Sequence, residues 1–222
     1  MTAATRMELI QGTFAELHAL IGCVPLERIA ATPAPGCATE ADVLAPPNGV
    51  KHIYELVHGV LIEKAMGYRE SELALILGQL LLNFLDVHDI GIALGADGTL
   101  KLFPGLVRVP DICFISWNRF PEGKRPTEPI PNLVPDLAVE IISPGNTVQE
   151  MDLKLQDYFR AGVKLVWYMY PDRSEARVYT GPDRYTVVGA EDILDGGDVL
   201  PGFQVSMRDW TEKAARRPRP QE

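Results

Sequence analysis

The stretch PDLAVEIISPGNTVQEMDLK, Pro135 to Lys154, couples a strand pattern to a helix pattern and decides the fold. Leu137, Val139 and Ile141 alternate with Ala138, Glu140 and Ile142, so a strand sends the two sets to opposite faces. A Ser-Pro-Gly-Asn turn follows at 143–146. Thr147 with Glu150 then forms a capping box that opens a helix over 148–161, and Gly162 closes it. KLVWYMY continues as a strand. Strand, helix and strand on short links make a βαβ-like crossover, which predicts a mixed α/β sheet flanked by helices.

The same stretch carries a chemical oddity. A strand between helices is covered on both faces, and an ionised Glu140 there is costly unless a cation or hydrogen-bond donors compensate it. In the next helix Met151, Leu155, Tyr158 and Phe159 form the inward stripe, and Lys154 stands at its edge. Taken alone, Glu140 and Lys154 fit a structural ion pair, or a lysine reaching for solvent, as well as they fit a site.

A third residue adds weight. VRVPDICFIS (107–116) is a strand pattern broken by Pro110-Asp111, and proline is tolerated in a strand only at an edge or a bulge. An aspartate at that break and Glu140 on a neighbouring strand place two carboxylates around one hard cation. Mg²⁺ takes oxygen ligands and keeps several waters. A lysine beside it orients or deprotonates the attacking water and offsets charge in the transition state. Asp111, Glu140 and Lys154 therefore supply the parts for metal-assisted phosphodiester hydrolysis.

Outward from this centre, YELVHGVLIEK (54–64) predicts two short strands or a bent hairpin around Gly59. ESELALILGQLLLNFLDVH (70–88) places apolar residues at 73, 76, 77, 80, 81 and 84, a buried helix face. GIALGADGTLKL (91–102) reads as strand, and ARVYT with YTVVG as a hairpin across GPDR. The expected organisation is an N-terminal helix and a Pro/Ala-rich wrapping segment over 1–49, one domain over 50–205, and a C-terminal tail over 206–222 whose basic end, KAARRPRPQE, is disordered.

Composition sets bounds. The 222 residues are 46% hydrophobic and 23% charged, ordinary for a globular chain with one substantial core. No apolar run approaches the roughly 20 residues of a membrane span, and the N-terminus has no clean basic start for a signal peptide. Cys23, Cys37 and Cys113 match neither a disulfide framework nor a zinc site, which points to a cytoplasmic protein. The net charge of −9 argues against holding nucleic acid by bulk electrostatics, but leaves room for a local basic groove. The loop NRFPEGKRP, with Arg119, Lys124 and Arg125, is a candidate for phosphate contact. The four histidines lack metal-ligand spacing, GADG is a turn, and Ser143 lacks a nucleophile-elbow context.

These residues resemble a family. A Pro-Asp followed by a glutamate on the strand VEIIS is similar to the PD-(D/E)XK restriction-endonuclease-like superfamily. More narrowly, VPDLAVEIISPGN followed by D-x-K-x-x-x-Y-x-x-A-G-V-x-x-V-W resembles a large bacterial family of restriction endonucleases of that fold. The resemblance implies a metal-dependent hydrolase acting on DNA with Mg²⁺, or Mn²⁺. It implies Asp111 and Glu140 as metal carboxylates, with the backbone carbonyl of Ile141 as a further ligand. Ile142 stands where the standard motif has its lysine, and Lys154 fits a lysine that has migrated to the following helix. Glu70 resembles an acidic helix residue that some members add to the metal site, although a glutamate at a helix N-terminus is favourable without any function. Asp152 shares the D-x-K element, though an acid in a first helical turn needs no function either. The resemblance also implies a homodimer. A catalytically silent chain that binds nucleic acid or a partner protein is the alternative.

Overall fold

Two antiparallel-rich sheets meet at Pro110-Asp111, and that meeting builds the site. The structure, a computed structural model, describes residues 12–45, 52–65 and 67–214. The N-terminal leucine pattern expected before residue 12 and the end of the basic tail lie outside the described residues.

The N-terminal part holds α1 (Phe14–Leu20) and α2 (Glu40–Leu44). Next come β1 (Tyr54–Val57) and β2 (Val60–Glu63), which form the expected hairpin. Its His58-Gly59 turn has φ of 48° and 70°, the positive values a tight two-residue hairpin requires. A Cβ on Gly59 would also lie 2.6 Å from the carbonyl oxygen of Gly36, so the wrapping segment approaches too closely for any side chain. The long helix α3 (Tyr68–His88) follows, then β3 (Gly91–Leu94), β4 (Leu100–Phe103), β5 (Leu106–Arg108) and β6 (Ile112–Ser116). The chain closes with β7 (Leu137–Ile141), α4 (Val148–Ala161), β8 (Leu165–Tyr170), β9 (Glu175–Gly181), β10 (Arg184–Val188), the pair β11 (Ile193–Asp195) and β12 (Gln204–Ser206), and α5 (Met207–Ala214).

The larger sheet has six strands in the order β10-β9-β8-β7-β6-β3, and β7 and β8 are parallel as the crossover through α4 demands. The smaller sheet has the order β2-β1-β5-β4. GIALGADGTLKL therefore splits, β3 joining the large sheet and β4 the small one. VRVPDICFIS is likewise no single strand. Its first half is β5 in the small sheet, its second half β6 in the large one, and Pro110 sits where the chain changes partners. A residue without an N–H is at home there, because no ladder runs through it.

Each face of the large sheet has its own cover. Leu73, Leu77, Leu81 and Leu85 of α3 pack on Leu137, Val139 and Ile141. This stripe lies one step round the helix from the one expected, since Ile76, Leu80 and Phe84 are only partly buried. Met151, Leu155 and Tyr158 of α4 pack on the opposite face, with Ala138 and Tyr168. The alternation along β7 thus turns Glu140 toward α4. The helix bounds, the Thr147–Glu150 capping box and the left-handed Gly162 at the C-terminus all follow the sequence pattern. The wrapping segment lies on its own chain: Val24, Ala38 and Val43 are buried and Ile29 bridges to Ile62. Among the described residues no helix is long and apolar enough to cross a membrane.

Candidate active site

The register of the large sheet brings the two predicted carboxylates together. Ile112 pairs with Val139 and Cys113 with Ala138, and Asp111, the residue just before this ladder, lies beside Glu140. Backbone and side-chain bonds clamp the junction: Asp111 N–H donates to the carbonyl of Val139 at 3.0 Å, and Asp111 Oδ2 accepts the N–H of Ile141 at 2.6 Å. Asp111, Glu140 and Ile141 are thus neighbours at the end of one strand pair.

Lys154 is fully buried rather than at a stripe's edge. Its Nζ lies 3.4 Å from both oxygens of Glu140 and 3.1 Å from Glu55 Oε1. Tyr158, one turn along α4, donates its phenol O–H to Glu140 Oε1 at 2.6 Å. Asp111 takes a different cation. Its Oδ1 lies 2.9 Å from Nζ of Lys64, which also donates to the carbonyl of Ala96 at 3.2 Å.

Beneath this layer runs a buried network that sequence reading missed. Arg108 is 1% exposed and reaches Glu55 at 2.8 Å and Asp157 at 2.6 Å, while Glu55 Oε1 accepts the N–H of Val109 at 3.0 Å. Glu55, Lys64 and Arg108 come from the hairpin and β5, each far from β7 in sequence. The one available signal was a charged residue at the end of or inside each of these apolar strands. The N-terminal segment braces the same region. Arg28 forks onto Glu150 at 2.8 Å on both arms and donates to the carbonyls of Glu63 and Gly145. Gly22 fits against α4 because a Cβ there would lie 2.6 Å from the Cα of Glu150.

Asp111, Glu140, Glu55 and Asp157 face three buried cations, Lys64, Lys154 and Arg108, and the exposed Arg160, which pairs with Asp157 at 2.9 Å. Burial, with the negative charges of Asp111 and Glu55, raises the carboxyl of Glu140 to about 7 against the pull of Lys154. Burial also acts on Glu55, but Lys154 and Arg108 outweigh it and hold its carboxyl down to about 2. Lys154 is pushed above its ordinary range: burial opposes its charge, but Glu140 and Glu55 favour it more strongly. It stays an ammonium, which suits orienting and charge-offsetting roles rather than deprotonation of water. Burial keeps the Tyr158 phenol protonated as a donor.

The raised Glu140 has a measurable consequence. A carboxyl that titrates higher when folded adds stability fully below its ordinary 4.5, and loses it as pH rises through about 7. Glu140→Gln should therefore gain on the unmodified protein by roughly 3 kcal/mol between about pH 5 and about pH 8. Urea unfolding across that range reads the difference. A flat difference would mean that Asp111, Glu55, Tyr158 and the two lysines leave Glu140 unstrained.

Of these residues, Asp111 and Ile141 border a groove of about 570 Å³ between α3 and the end of β3. Ala74, Gly78 and Leu82 form one wall, and Asp111 and Ile141 reach its floor. Glu70 lines the groove, but its carboxylate folds back over Gly67 at the start of α3, where a Cβ would meet it at 1.9 Å. Asp152 is exposed on α4, away from this group. The basic loop lies elsewhere. Arg119 donates to Asp136 and to the carbonyl of Gly162, and Asp136 stands at the opposite end of β7 from Glu140, about 13 Å along the strand. Trp167 is a core residue.

The donors suit a hard divalent cation. They are carboxylate and backbone oxygens, and no thiol or imidazole stands among them. Among the described residues no three Asp, Glu, His or Cys side chains converge. A cation here would rest on Asp111 and Glu140, the Ile141 carbonyl and water, the partial coordination Mg²⁺ accepts.

Known proteins share this fold. A search of the curated proteins found no match. Among solved structures, one described as "a putative nuclease belonging to DUF820" from Anabaena variabilis is similar, with a TM-score of 0.68 at 20% identity, over 79% of this chain and 98% of that one. That likeness shows a shared fold. Residues 41–208 match the Uma2 family, described as "Putative restriction endonuclease". The chain, with its carboxylate pair at the junction of two sheets and its lysine on the crossover helix, belongs to the Uma2 restriction-endonuclease family.

Proposed function

We propose that the chain is a divalent-cation-dependent endonuclease that hydrolyses phosphodiester bonds in DNA. The observation that carries the reading is Asp111, bonded to the Ile141 N–H at the edge of a groove and beside the buried Glu140–Lys154 pair. When bound, Mg²⁺ or Mn²⁺ supplies Lewis acidity and a water of lowered pKa. Asp111 and Glu140 would hold it, with the Ile141 carbonyl. Lys154 and Tyr158 fix the rotamer of Glu140, and Lys154 favours its anionic form. In the reaction the water oxygen bonds to phosphorus, the bond from phosphorus to the leaving oxygen breaks, and that oxygen takes up a proton. Lys154 offsets the negative charge that accumulates.

A catalytically silent binding protein is the second reading. The tight pairing of Lys154 with two carboxylates, away from the groove lining, favours it.

The test is a nuclease assay on single- and double-stranded DNA with Mg²⁺, Mn²⁺ or chelator, run beside a thermal melt. Divalent cations should raise the melting temperature, since they bind only the folded carboxylate pair, and Glu140→Gln should remove most of that gain. Cleavage that stops with chelator supports the nuclease. A thermal shift without cleavage supports the silent protein, and no shift at millimolar cation removes the metal site. A homodimer would present two such centres to a duplex, and light scattering would show whether two copies associate.

A further inference from the structure

The two lysines of the site are placed differently, and the difference assigns a role to the one the sequence pattern does not mark. Lys154 lies between Glu140 and Glu55, and its ammonium is held from two sides. Lys64 ends the β1–β2 hairpin. Its ammonium has one carboxylate partner, Asp111 Oδ1 at 2.9 Å, and one carbonyl partner, Ala96 at 3.2 Å. Asp111, Ala96 and the next residue, Ala65, all line the groove, whereas Lys154 has no neighbour of that kind among its ion partners. Lys64 is thus a buried cation directly behind the groove wall, one contact from the space a substrate would enter.

Its partner has little to spare. Asp111 Oδ2 already accepts the Ile141 N–H, and a cation that takes the other oxygen, Oδ1, meets the atom that Lys64 holds. Two positive charges cannot share one carboxylate oxygen at contact distance without strong repulsion. The ammonium then moves, either toward the groove that Ala65, Ala96 and Asp111 line or deeper into the core. Moving inward would leave a charge without water or counter-ion, which is the costlier course. Turning outward brings it to a phosphate in the groove. An ammonium is a compact, mobile cation on a flexible stem, suited to such a transfer.

We propose that Lys64 is a second catalytic lysine: it neutralises Asp111 until a divalent cation takes Oδ1, and then binds a non-bridging oxygen of the scissile phosphate. This rests on the nuclease reading. Lys64 makes and breaks no covalent bond; it offsets charge on the phosphoryl group while water replaces the leaving oxygen.

The role separates two quantities that a structural lysine would not separate. Lys64→Met removes the competitor for Asp111, so Mn²⁺ titrated calorimetrically into the protein without DNA should bind at least as tightly as to the unmodified chain. Cleavage at saturating Mn²⁺ should fall by about 10²-fold, the usual loss for one charge-stabilising donor. Lys64→Arg, which keeps the charge, should bind Mn²⁺ like the unmodified chain and retain part of the rate. It also serves as the folded comparator if the methionine variant melts early. Unchanged cleavage by Lys64→Met would overturn the proposal, as would parallel loss of Mn²⁺ binding and cleavage in both variants. An unmodified chain that neither binds Mn²⁺ nor cuts DNA sinks the nuclease reading itself, and the role of Lys64 with it.

Discussion

Asp111→Asn is expected to lower DNA cleavage by ~10³-fold or more while leaving a cooperatively folded protein. On the proposed mechanism Asp111 anchors the cation, whose charge stabilisation is worth several kcal/mol, and about 1.4 kcal/mol is a tenfold change in rate. The amide has the size of the carboxylate and can still accept the N–H of Ile141, so the junction between β6 and β7 stays closed. Its cost to the fold is the loss of a counter-ion for Lys64, a moderate destabilisation that a thermal melt would register. Alanine would be a poorer test, since it also empties the space between Lys64 and Ile141. Single-turnover cleavage by the variant and the unmodified chain, both saturated with Mn²⁺, reads the effect. Cleavage within a few-fold of the unmodified rate would remove Asp111 from the chemistry.

The second large effect is on stability. Arg108→Ala leaves Glu55 and Asp157, 1% and 3% exposed, without their shared guanidinium. Breaking one buried pair by removing one partner costs about 3–5 kcal/mol, and a whole domain has only about 5–15 kcal/mol to lose. The melting temperature should fall by roughly 6–20 °C, on the usual scaling for a chain of this size. Arg108→Lys should rescue little, because the shorter side chain lacks the planar fork whose two arms reach Glu55 and Asp157 separately. Removing the charges together is different. Arg108→Met with Glu55→Gln and Asp157→Asn leaves no stranded charge, and should recover most of the loss. Circular dichroism melts of the single and triple variants decide it. A single variant that melts within a few degrees of the unmodified chain would show that the network is not holding the two sheets together.

Local features of the sequence determined much of what the structure shows. The alternation about Glu140, the Thr147–Glu150 capping box and Gly162 fix β7 and α4, because each depends on residues within one or two turns of the chain. The His58-Gly59 hairpin is legible for the same reason. Asp111, Glu140 and Lys154 stand out because a charge inside an apolar pattern is itself a local anomaly. Tertiary structure alone decided the rest. No period in the chain says that VRVPDICFIS changes sheets at Pro110, since a strand's partners are set by contacts far away in sequence. Nor does the pattern show that Asp111 is neutralised by Lys64, or that Glu55 and Arg108 lie beneath Lys154. Those pairings join residues about fifty or a hundred positions apart, and a buried charge finds its partner by proximity in the folded core rather than by spacing along the chain.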